Sequence, residues 1–168
     1  PLSWAKDAQG VKVTAKSDVD LAHTLEAYKI TARNWYNSNP ISLANATHIL
    51  LYVKTPATTQ LQPRATVVGK GDAALKVGAN YEYASVNDTE WSIGTTVKGG
   101  NNTYFSDIKF DGPFEGYIKI KISDFYSDNG WNIDPSTHKI ERLDVWFSKL
   151  AKDESVIAGP VFKVTKNT

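Results

Sequence analysis

Two stretches show the clearest alternation of hydrophobic and polar positions. In His48–Pro56 (HILLYVKTP), Ile49, Leu51 and Val53 fall on one side and Leu50, Tyr52 and Lys54 on the other. In Ile140–Lys149 (IERLDVWFSK), Leu143, Val145 and Phe147 oppose Arg142, Asp144 and Trp146. A period of two marks a strand with one face in a core. Pro56 closes the first stretch because it has no N–H for a ladder.

The same alternation recurs along the chain. Val11–Ala15, Arg64–Val68, Tyr81–Val86, Thr89–Gly94, Thr103–Phe110, Gly116–Ile122 and Val161–Thr165 read as strands. In GYIKIKI, Ile118, Ile120 and Ile122 oppose Tyr117, Lys119 and Lys121. Ala74–Val77 reads as a short edge piece. Leu21–Ala32 is helical by composition, but Thr24, Tyr28, Ile30 and Thr31 favour a sheet, and a strand is expected over Leu25–Thr31. Gly69–Asp72, Gly78–Asn80, Asn87–Asp88, Gly99–Asn102 and Asp111–Pro113 supply turn chemistry. Short strands with turns every ~8–12 residues and no long helix predict an all-β sandwich or barrel.

Composition narrows this further. A chain of 168 residues suits one domain spanning 1–168. Nineteen basic and eighteen acidic side chains nearly cancel, so nothing points to nucleic acid or membrane as a partner. No apolar run approaches the roughly 20 residues that span a bilayer. Cys is absent, which removes disulfides, thiolate metal sites and a Cys nucleophile together. The chain begins at Pro1 without an initiator Met, as expected of a module within a longer protein.

Catalytic patterns are hard to find. Gly99-Gly100 lacks the Lys-Ser/Thr of a phosphate loop. His23, His48 and His138 lie far apart, and no metal site is expected. Glu82 and Asp144 are the carboxylates that could meet on one sheet face, as a glycosidase requires; Lys and Arg partners are the commoner fate of such groups. The aromatics say more. Five Trp and eight Tyr exceed what a core of Ile, Leu and Val calls for. Trp35 and Tyr36 lie in the polar loop RNWYNSNP, and Trp131 lies in a loop with Asn129 and Asn132. Tyr52 and Trp146 occupy the non-core faces of the two leading strands. Trp91 reads as core or inter-sheet and Trp4 as a seal for the N-terminal edge. Sugars present C–H groups that pack on Trp and Tyr rings, and their hydroxyls need fixed partners. Arg142, Asp144 and Trp146 combine a donor fork, an acceptor and a flat ring on a face expected to meet water. That face, or the loops beside it, is expected to bind a polyhydroxylated ligand.

Four stretches then resemble a known family: ILLYVKTPA (49–57), YEYASVNDTEWS (81–92), FEGYIKIKISDF (114–125), and IERLDVWFS (140–148) ahead of GPVFKV (159–164). Together, in this order, they resemble the β-jelly-roll carbohydrate-binding modules of secreted bacterial polysaccharide-degrading enzymes, including cellulosomal ones. The resemblance implies an antiparallel two-sheet β-sandwich of jelly-roll type, no catalysis and an extracellular monomer joined to a catalytic domain. Its ligand would be a β-linked plant polysaccharide, a β-glucan or hemicellulose. The site positions carried over are Tyr52, Arg142, Asp144 and Trp146. The residue pattern, apart from the resemblance, adds Trp131 as a further stacking ring and puts Arg64, Glu82 and Tyr83 on the same face if the register allows. Lys121 stands where such modules often have Pro. The closing strand lacks the Asp that often helps hold a structural calcium ion, so calcium stays open and no other cofactor is expected. Two rival readings remain: a small jelly-roll glycoside hydrolase or lyase, and a structural or adhesion sandwich with covered rings.

Overall fold

A computed structural model describes residues 2–6, 11–18, 29–31, 41–99 and 106–166. Among them are fourteen strands: β1 (Leu2–Lys6), β2 (Val11–Ala15), β3 (Lys29–Thr31), β4 (Ile41–Ser42), β5 (Ala46–Thr55), β6 (Gln60–Val67), β7 (Gly71–Ala73), β8 (Asn80–Ser85), β9 (Ser92–Thr95), β10 (Val97–Lys98), β11 (Ser106–Lys109), β12 (Phe114–Lys121), β13 (Lys139–Ser148) and β14 (Ser155–Thr165). One 3₁₀ turn covers Ile122–Asp124.

The strands form two antiparallel sheets. Sheet I runs β1-β2-β14-β5-β12-β8-β9; sheet II runs β10-β11-β6-β13-β3, with β4 against β13 and β7 against β6. The chain is therefore an all-β two-sheet sandwich, one of the two architectures its periodicity allows.

The alternating positions do the packing. Ile49, Leu51 and Val53 of β5 and Ile118 and Ile120 of β12 are buried, as are Leu143, Val145 and Phe147 of β13 on sheet II. They join one hydrophobic cluster with Leu61, Ala65 and Val67 of β6. Burying each such side chain is worth about 1.5–3 kcal/mol. One end of the core is aromatic. Phe110 and Phe114 stack at 4.0 Å, and Tyr83 meets both edge-on at 5.3 and 5.9 Å.

Several boundaries differ from expectation. The segment before Asp72 is a hairpin: Val67 accepts from the Lys70 N–H at 3.1 Å, Gly69 takes φ +75°, and β7 returns along β6. Ala74 makes only an isolated bridge to Tyr126. The closing strand starts at Ser155, and a register shift between Ala158 and Val161 absorbs Gly159-Pro160. Of the strand expected over Leu25–Thr31, the described part is Lys29–Thr31, paired with β13. Pro63 sits inside β6, where β11 opposes Gln60–Leu61 and β7 opposes Ala65–Val67. That side of β6 has no described partner at Pro63, a position compatible with a missing N–H.

Candidate functional site

The register of β6 on β13 decides what shares a face. Asp144 lies opposite Arg64, Trp146 opposite Gln62, Ser148 opposite Gln60 and Arg142 opposite Thr66. All of these side chains project from the side of sheet II away from the core. Asp72 from β7 and Asp107 from β11 join them through side-chain contacts. The result is a polar face holding one indole, two guanidiniums, three carboxylates and two carboxamides.

Hydrogen bonds knit this face together. Gln60 Nε2 and Gln62 Nε2 donate to the two oxygens of Asp107, at 2.9 and 3.0 Å. Arg64 Nε donates to Gln62 Oε1 at 2.6 Å, and Arg142 Nε to Asp144 Oδ2 at 3.0 Å. Thr66 Oγ1 donates to Asp72 Oδ1 at 2.7 Å, while Arg64 Nη1 lies 3.9 Å from Asp72 Oδ2. The Arg64 guanidinium stands 4.1 Å from the centroid of the Trp146 ring, well within cation–π range. Burial pushes the Arg64 pKa below its ordinary value, and Asp72, Asp107 and Asp144 pull the other way.

Exposure grades across the face. Arg142 and Asp72 retain 30% and 39% side-chain exposure. Asp144 and Trp146 retain only 2% and 4%. This corrects the expectation that the Asp144–Trp146 face meets water along its length. The Arg64 cation covers one side of the indole. Arg64, expected on this face if the register allowed, belongs to it.

The other expected site residues lie elsewhere. Tyr52 is on the outer face of sheet I, 2% exposed, with its hydroxyl donating to Glu115 Oε2 at 2.6 Å and its ring edge-on to Tyr117 at 5.6 Å. It therefore shares no face with Trp146. Tyr83 packs on the core, and Glu82 sits on the outer side of β8, 3.6 Å from the Lys119 ammonium. Glu82 and Asp144 are thus on different sheets, which stack about 10 Å apart, and they do not face one bond. Trp131 is half-buried against the core, with Lys70 Nζ 5.0 Å from its ring centroid and His138 edge-on at 5.6 Å. Trp35 and Tyr36 lie outside the described residues. Among the described residues, no group of three or more His, Asp or Glu is placed to hold a metal ion.

Sequence reasoning missed two features. Gln60, Gln62 and Asp107 complete the polar face; the alternation QLQPR carries the signal for the first two. Trp91, read as core or inter-sheet, is 42% exposed on the outer side of sheet I. Comparison with family models, with curated proteins and with solved structures finds no match to the chain.

Proposed function

We propose that this chain is a non-catalytic carbohydrate-binding module whose site is the polar face of sheet II. One observation carries the reading: Trp146, Arg64, Arg142, Asp144, Asp107 and Asp72 are concentrated on the side of a sheet that faces away from the core. Buried charges add little net stability compared with apolar residues of similar volume. Their chemistry suits a polyhydroxylated chain. Carboxylates accept from hydroxyls, guanidiniums donate in a fixed fork, and an indole packs against C–H faces. The ligand meets the open margin, Arg142 and Asp72, first.

The resemblance in the sequence supports a β-linked plant polysaccharide, either a β-glucan or a hemicellulose, and a module outside the cell that holds an appended enzyme near its substrate. A tether of that kind raises local concentration without new contacts. Affinity is modest, since each ring adds about 0.5–1.5 kcal/mol beyond area burial and each hydrogen bond about 0.5–1.5 kcal/mol net.

A structural reading has one observation in its favour, the 4% exposure of Trp146. Affinity electrophoresis separates the two. The module is run through gels containing soluble β-glucan, xyloglucan, xylan or mannan, beside Arg142→Ala. Retardation by at least one polymer, reduced in Arg142→Ala, supports binding at this face. Retardation by none, with native circular dichroism, supports the structural reading.

A further inference from the structure

The outer face of sheet I carries a separate groove of about 260 Å³. Leu50, Ala84 and Tyr117 line it from the sheet, and the 85–91 connection between β8 and β9 lines it from the side, ending at Trp91. Register explains the space. Ser92 pairs with Tyr83, and Trp91, one residue before β9 begins, lines the groove together with Ala84. The single methyl of Ala84 leaves open what a larger side chain would fill.

The Trp91 ring is 42% exposed, and charged groups stand around an otherwise largely apolar lining. Lys119 Nζ lies 5.2 Å from the Trp91 ring centroid and 3.6 Å from Glu82 Oε2. Asp88 and Glu90 line the groove wall, and Asp88 Oδ2 accepts the Ser85 N–H at 2.9 Å, which fixes the turn.

We propose that this groove binds a single neutral pyranose ring of a glycan, laid on Trp91 with its hydroxyls facing Glu90, Asp88 and Lys119. Charge selects this occupant. An anion meets Asp88 and Glu90. A cation must displace Lys119, which already stands by the indole. A neutral polyol can donate to the carboxylates, accept from the ammonium and offer C–H groups to the ring. The volume matches one sugar ring, equal to roughly eight or nine waters at ~30 Å³ each. The site is independent of the polar face, on the opposite sheet.

Indole N–H signals in ¹H–¹⁵N spectra of the whole chain test the proposal. Trp91→Phe and Trp146→Phe assign the two signals by their loss. Methyl β-glycosides of glucose, galactose, mannose and xylose are titrated separately, with tetramethylammonium as the cationic probe. The expected result is a saturable shift at Trp91 with at least one glycoside and none with tetramethylammonium. Trp91→Ala, read at the Ala84 and Lys119 amides, then weakens binding about tenfold, the fold-change for ~1.4 kcal/mol. No Trp91 shift with any glycoside overturns the proposal, as does a shift with tetramethylammonium alone. A shift at Trp146 with Trp91 silent also overturns it while leaving the polar-face reading intact. A shift at Trp91 with Trp146 silent supports the groove.

Discussion

Gly116→Ala is expected to destabilise the sandwich through backbone crowding. Gly116 lies in β12, paired with Val53 on one side and Ser85 on the other. A Cβ built there would fall onto the Ala84 carbonyl oxygen and within 2.6 Å of Ser85 Cα and 2.9 Å of the Ala84 carbonyl carbon. These are backbone atoms, so no rotamer change relieves the overlap, and β8 itself must move away from β12. Overpacking of this kind costs about 1–3 kcal/mol. In a chain of this size each kcal/mol lowers Tm by about 2–4 °C, so mid-range values give a fall of about 6 °C. Thermal unfolding followed by circular dichroism, with urea midpoints beside it, measures the effect. Gly112→Ala is the control, because a Cβ there meets nothing within 4 Å. It should leave stability unchanged or raise it by about 0.4–1 kcal/mol through the unfolded chain. A Gly116→Ala protein melting within about 1 °C of wild type would refute the reasoning.

Three further outcomes follow from the contacts. Tyr52→Phe removes the hydroxyl that donates to Glu115 and should cost about 1–2 kcal/mol in urea unfolding. Arg64→Met removes a buried donor to Gln62 and the cation beside Trp146. It leaves the carboxylates of Asp72, Asp107 and Asp144 without this cation, so it should cost about 2–4 kcal/mol, and a double-mutant cycle with Trp146→Phe should return a coupling of about 0.5–2 kcal/mol. Burial pushes the Tyr81 phenol up to about 12 from 10.0, with Tyr83 and Asp111 adding to the rise. The unfolded chain ionises Tyr81 first, so this stabilisation is whole below pH 10 and lost as pH climbs towards 12. The loss is a few kcal/mol at most, on the order of 1.4 kcal/mol for each pH unit by which the phenol is raised, and it appears as a urea midpoint that falls more steeply in wild type than in Tyr81→Phe.

The two leading strands were readable because their alternation is strict and one face is wholly apolar. Sheet membership was not. Tyr52 and Trp146 occupy equivalent polar positions in their own strands, but β5 belongs to sheet I and β13 to sheet II. Periodicity assigns a side of a strand without saying which sheet the strand joins. Arg64 could be placed only by register, since one residue of slip would have turned it into the core. The cover over the Trp146 ring includes Arg64, a cross-strand neighbour far away in sequence. Trp91 falls in TEWSIG, a stretch that reads as strand throughout. Its exposure follows from β9 being the edge of sheet I and from β9 starting only at Ser92.

The central claim is glycan binding on the polar face of sheet II. Isothermal titration of the whole chain with the polysaccharide that retards it most tests this directly, with Arg142→Ala and Trp146→Phe as variants of verified fold. The account predicts measurable binding by wild type and a Kd weakened at least severalfold in both variants. Binding of wild type and both variants with equal affinity would place the ligand elsewhere and contradict the account.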